Sequence, residues 1–174
     1  TSPMRIRFGF GILGVLALLA VGVVSPSGTA KAATLHALVV IDTNDRRIGT
    51  MVARDMNLMA GEIRKIAAAS GLALNSRTYK GSDFTIAKVR GAVQALSPGR
   101  DDVVLFYYSG HGFRTKTKRS RWPFFFFHSN TQAIDFGWVI RELSAKGARL
   151  TIALTDACNN VVPLQIREEQ KALQ

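Results

Sequence analysis

Compact apolar runs alternate along this chain with stretches whose apolar residues recur every three or four positions. Residues 35–41 (LHALVVI) form one such run and stop at Asp42-Thr43-Asn44-Asp45. A β-rich run bounded by turn residues predicts a buried strand followed by a loop. Val52, Met56, Met59, Ile63 and Ile66 then recur at steps of four and three, which predicts a helix with one apolar face. Gly71 is placed to end it. Residues 72–79 suggest a second strand. Ser82 or Asp83 offers an N-cap for a helix carrying Ile86, Val89, Val93 and Leu96, closed by Ser97-Pro98-Gly99. Residues 103–108 (VVLFYY) give the clearest strand in the chain, ending abruptly at Ser109-Gly110-His111-Gly112. Residues 113–132 show no steady period and read as a loop, within which 124–127 (FFFF) suggest a short buried strand. Phe136, Val139, Ile140 and Leu143 predict a third helix, with Gly147 after it. Residues 150–154 predict another buried strand, running into Thr155-Asp156-Ala157-Cys158.

Strands alternating with helices indicate an α/β fold with a mostly parallel sheet. Right-handed crossovers place helices on both faces. Ligands in such sheets bind beyond the carboxyl ends of the strands. Three polar clusters fall at those ends: residues 42–45, 109–112 and 156–160. They are expected on one rim.

The chain has 174 residues, 47% hydrophobic and 20% charged, which fits one globular domain and excludes a disordered chain. Part of the apolar content is N-terminal. Met4, Arg5 and Arg7 precede an uncharged, mostly apolar run over residues 8–24, and Ala30-Lys31-Ala32 supplies small residues for a cleavage site. Residues 1–33 are therefore read as a signal peptide of an exported, periplasmic or secreted protein. The other reading is an N-terminal membrane anchor. Residues 34–174 form the remaining domain.

The net charge is +11; without Arg5, Arg7 and Lys31 it is +8 (20 basic minus 12 acidic). This balance favours anionic surfaces. The densest patch is Arg114, Lys116, Lys118, Arg119 and Arg121. It carries no nucleic-acid motif, so no specific nucleic acid is expected; the patch reads as a solvated basic loop, with contact to an anionic polymer or lipid surface as the other reading. No metal-ligand cluster or phosphate-binding glycine loop appears.

Cys158 is the one cysteine and cannot form an intramolecular disulfide. His111 sits between two glycines, which let backbone and substrate approach closely. Cysteine hydrolysis needs a sulfur nucleophile, a proton carrier and donors for the oxyanion. Strand ends carrying His111 and Cys158 in one rim satisfy the first two. His36 and His128 have no comparable setting.

Tyr108-Ser109-Gly110-His111-Gly112 resembles the histidine motif of caspases, metacaspases and bacterial caspase-like proteins, and Asp156-Ala157-Cys158 resembles their cysteine motif. The resemblance spans roughly residues 35–160. It implies a three-layer caspase-like fold and a cysteine endopeptidase acting on proteins or peptides. By it, Cys158 attacks the carbonyl, His111 protonates the leaving amine, and the N–H groups of Gly112 and Cys158 hold the oxyanion. Metacaspases carry aspartate two positions before the nucleophile and cleave after arginine or lysine. Asp156 implies the same preference, with Asp42 as a second acid for that pocket. No cofactor is implied. A calcium requirement, seen in some metacaspases, is tied to no residue here.

Two departures set a second reading beside the first. Asn159-Asn160 follow Cys158, where many relatives have a turn containing serine or glycine. Relatives also continue with further strands, whereas residues 164–173 read as a short charged helix. The expectation is a sheet left incomplete at the C-terminus, finished by a missing segment or a partner chain. The alternative function is a catalytically inactive caspase-like module for binding or assembly.

Overall fold

A computed structural model describes residues 32–127 and 133–162. The apolar segment of residues 8–24 and its basic start, His128, and the charged C-terminal stretch lie outside the described residues. Among the described residues, no helix is long and apolar enough to cross a membrane.

The main sheet has four parallel strands in the order β2-β1-β3-β7. They are β1 (Thr34–Ile41), β2 (Ala73–Tyr79), β3 (Val103–Ser109) and β7 (Leu150–Asp156). Helix α1 (Gly49–Ala69) covers one face. There Val52, Ile63 and Ala67 pack on Leu35, Ala37, Val39 and Ile41 of β1 and on Val103, Leu105 and Tyr107 of β3. Helices α2 (Ile86–Ala95) and α3 (Phe136–Ser144) cover the other face, against Leu38, Val40, Val104, Phe106 and Tyr108. The result is a three-layer α/β fold with helices on both faces. Every residue of β3 is buried, because this central strand has a neighbour on each side and a helix layer on each face. That dictates its continuous apolar sequence. Each large side chain buried there stabilises the fold by about 1.5–3 kcal/mol.

Local sequence accounts for the helix ends. Gly71, at φ 64°, takes the left-handed turn that closes α1, and the Leu72 N–H returns to the Ala67 carbonyl at 2.9 Å. The cap of α2 is Thr85, whose side chain accepts the Lys88 N–H, rather than Ser82 or Asp83. Those two lie in a 3-10 turn, Gly81–Asp83. Phe84 explains the offset: it is buried with Val89, the pairing of a hydrophobic staple, which sets the helix start at Thr85. The buried stripe of α1 ends on Ala67, while Ile66 is exposed. A straight helix turns 3.6 residues per turn, so position 67 keeps the face that 66 leaves.

A second small sheet has the order β6-β5-β4-β8. Its strands are β4 (Gly112–Thr115), β5 (Phe124–Phe126), β6 (Ala133–Asp135) and β8 (Val161–Val162). It occupies part of the stretch read from sequence as a loop. Phe125 and Phe127 are fully buried, as the run of phenylalanines suggested. Phe125 stacks on Tyr108 with ring centroids 3.8 Å apart. Strand β7 differs from expectation. Among the described residues it lies at the edge of the sheet, with Leu150 50% and Leu154 43% exposed, because α1 packs over β1 and β3 and not over β7.

Candidate active site

The central strand β3 delivers Ser109, Gly110 and His111 to the carboxyl rim, and β7 delivers Asp156, Ala157 and Cys158 beside them. Ser109 and Asp156 are direct neighbours across the β3–β7 pair. The two chains then stay together past the sheet. The Gly110 N–H donates to the Asp156 carbonyl at 3.3 Å, and the Arg114 N–H donates to the Asn160 carbonyl at 2.9 Å. Between these bonds, a β-carbon added to Gly112 would lie 2.5 Å from the Cys158 carbonyl oxygen. The backbone on either side of His111 therefore touches the backbone around Cys158. Cys158 is exposed, and 39% of the His111 side chain is exposed, so both reach solvent at this rim.

His111 is held by its surroundings. Its carbonyl accepts the Phe126 N–H at 3.0 Å and the Tyr108 hydroxyl at 2.8 Å. Burial pushes the Tyr108 phenol well above its ordinary pKa, and the Asp42 charge adds to this. The hydroxyl is thus a permanent donor at any ordinary pH. Its position also demands a glycine at 110, where a β-carbon would fall 2.7 Å from the Tyr108 oxygen. On its side chain, His111 Nε2 lies 3.1 Å from Asp45 Oδ2. The Cys158 side of the site is tied down by Asn159, whose Nδ2 donates to the Arg121 carbonyl at 2.8 Å.

An acidic cluster lies on the α1 face of the same rim. Ser109 Oγ donates to Asp55 Oδ2 at 3.5 Å. Burial raises the pKa of the Tyr107 phenol, and the charges of Asp156 and Asp55 push it the same way. Asp55, Ser109 and Asp156 are therefore near neighbours. Sequence reading singled out Asp156 and missed Asp55, which α1 brings from 54 residues away. The available signal was an acid directly beside the buried stripe at Met56.

Asp42 does not join that cluster. It is fully buried, and its β-carbon lies beside Gly110 and near Tyr108 on the opposite face of the sheet. Side chains alternate along a strand. Asp42 follows the inward register of Leu38 and Val40, while Asp156 shares the register of Ser109. The expectation of Asp42 as a second pocket acid is corrected on this ground.

The basic patch is also smaller than its sequence suggested. The Lys118 side chain is 5% exposed, pairs with Asp135 at 2.7 Å, and sits 3.8 Å from the centroid of the Phe124 ring. Arg114 lies half-buried on β4; Lys116, Arg119 and Arg121 remain exposed. Among the described residues, no group of three or more His, Cys, Asp or Glu side chains is placed to hold a metal ion, and no residue is assigned to calcium.

The chain matches the family model of the caspase domain over residues 37–173. That is 137 of the 174 residues (173 − 37 + 1) and includes both strand-end clusters. No curated protein matches the chain.

Proposed function

The chain belongs to the caspase-domain family of cysteine peptidases, and from that premise we propose that it is an endopeptidase using Cys158 and His111. The observation that carries the reading is the contact of the His111 and Cys158 segments at one solvent-open rim. In the proposed reaction the Cys158 sulfur bonds to the scissile carbonyl carbon. The N–H groups of Gly112 and Cys158 receive the negative charge on the carbonyl oxygen. His111 takes the thiol proton and gives it to the amine nitrogen as the C–N bond breaks. Water then attacks the thioester, His111 accepting its proton. The acyl group leaves as a carboxylic acid and the thiol is restored.

For the residue before the scissile bond we propose arginine or lysine, received by Asp156 and Asp55. Two carboxylates beside an uncharged hydroxyl pair (Tyr107 and Ser109) suit a guanidinium fork. Export to a periplasmic or extracellular setting belongs to the same proposal and rests on residues 1–33 alone.

A binding or assembly role is the second reading, favoured by strand β7, which has one strand neighbour among the described residues, and by its exposed leucines. An open strand edge beside apolar side chains can recruit a strand from a partner chain.

Fluorogenic peptides differing only before the scissile bond test the first reading. Arginine should be preferred over aspartate. Asp156→Asn should lower cleavage after arginine by roughly 10–100-fold, the loss of one hydrogen bond to a charged group. Cys158→Ala should abolish cleavage of every peptide. A preference for aspartate would refute the pocket assignment. A folded chain that cleaves nothing but binds a partner through β7 would favour the second reading.

A further inference from the structure

We propose that Asp45 is a positioning residue of this site. Its carboxylate holds the His111 imidazole in the tautomer with hydrogen on Nε2, leaving Nδ1 as the nitrogen that carries the reaction's protons. The inference rests on the catalytic reading above and deepens it.

Both partners are oriented by contacts of their own. Asp45 Oδ1 accepts the N–H groups of Arg47 at 2.7 Å and Ile48 at 2.9 Å. The Asp45 carbonyl accepts the Gly49 N–H at 2.9 Å. The carboxylate is thereby fixed in the turn that leads into α1. Its side chain is only 10% exposed. The other oxygen, Oδ2, faces His111 Nε2 at 3.1 Å. On the histidine side, the Phe126 N–H and the Tyr108 hydroxyl hold the His111 carbonyl. The turn before α1, the segment after β3 and strand β5 thus converge on one carboxylate–imidazole contact.

The chemistry follows from the donor inventory. An ionised carboxylate only accepts, so a hydrogen bond to Nε2 requires hydrogen there, and neutral imidazole then has its lone pair on Nδ1. That nitrogen can take the thiol proton. The same carboxylate stabilises the imidazolium formed in the step. A backbone-anchored carboxylate behind a catalytic histidine does this in other hydrolases.

Asp45→Asn in the full chain separates positioning of His111 from support of the turn before α1. The asparagine carbonyl oxygen can keep the Arg47 and Ile48 bonds. Its NH2 then faces Nε2, which must accept, moving the hydrogen to Nδ1. Nitrogen-15 NMR of labelled histidine reads the tautomer, and peptide cleavage reads the rate. We expect hydrogen on Nε2 of His111 in the unaltered protein and on Nδ1 in the variant. We expect kcat to fall on the order of 10²–10⁴-fold, as with loss of the correct tautomer elsewhere, with KM changed less than about threefold. Hydrogen on Nδ1 in the unaltered protein overturns the proposal, whatever the variant does. So does an Asp45→Asn protein with kcat within about threefold of the original. If the unaltered protein cleaves no peptide, the catalytic reading fails separately, and the tautomers still decide whether Asp45 orients the ring.

Discussion

Replacing Gly112 by alanine asks how closely the histidine and cysteine segments must approach. The added β-carbon would stand 2.5 Å from the Cys158 carbonyl oxygen, 2.9 Å from the Ala157 β-carbon and 3.3 Å from the Phe124 carbonyl oxygen. Positive φ occurs at Gly71, Gly81 and Gly147 and not at Gly112. Alanine therefore meets no backbone penalty at this position, and the effect is steric. Bringing the shortest contact to 3.0 Å needs a shift of at least 0.5 Å (3.0 − 2.5). Gly112 is paired with Phe125 on one side, and Phe125 is fully buried. The exposed segment around Cys158 is the part free to yield. A misplacement of 1 Å costs roughly 10²-fold in rate, so kcat should fall about 10–100-fold, or about 1.4–2.7 kcal/mol in barrier. Overpacking of this kind destabilises by about 1–3 kcal/mol, which lowers Tm by roughly 3–10 °C. Steady-state cleavage of the preferred peptide, alkylation of Cys158 and thermal unfolding measure the three effects. A Gly112→Ala protein with unchanged kcat, thiol reactivity and Tm would refute the seam between residues 110–115 and 156–162.

Gly91 in α2 is the matching control: a β-carbon there meets nothing within 4 Å, so Gly91→Ala should stabilise by about 0.5–1 kcal/mol without altering kcat, read by denaturant unfolding. Phe125→Ala should destabilise by about 3–5 kcal/mol, since this buried ring stacks on Tyr108 and packs near Phe136; a loss below about 1 kcal/mol would contradict its place in the core. Asp102 has its pKa lowered from 3.8 to about 2, first by the Thr34 N–H and then by His36 and the Gly99 N–H. A carboxylate with a folded pKa below its unfolded value contributes stability above pH 3.8 that is lost as pH falls through 2. Asp102→Asn should therefore flatten the acid unfolding curve between those values, and an unchanged curve would remove Asp102 as its cause.

Local pattern alone determined the strands and helices of the main layer in their order, because strand alternation and helical recurrence depend on near neighbours. It placed His111 and Cys158 at strand ends, and with them the rim. It also placed Gly71 at the end of α1. The small sheet was beyond it. Strands of two to four residues, such as Phe124–Phe126 and Val161–Val162, are too short to show a period, and partners far along the chain create them. Strand order lay beyond it too. Only the arrangement β2-β1-β3-β7 sets β3 against β7 and brings the His111 and Cys158 segments into contact. Among the described residues the same order leaves β7 at an edge, although its apolar sequence reads like that of a covered strand.

Tertiary structure likewise decided which acids serve the rim. Asp42, Asp45, Asp55 and Asp156 are all short acidic side chains near strand ends or a helix start, and sequence cannot rank them. Register turns Asp42 into the core beside Tyr108, the turn before α1 aims Asp45 at His111, and α1 itself carries Asp55 to Ser109. Lys118 belongs to the basic loop by sequence, yet Asp135 and the Phe124 ring remove it from solvent. The Lys118–Asp135 and Asp45–His111 contacts join positions 17 and 66 apart. The periodicity of one segment reports which face is buried. The partner across that face is set only when the layers pack.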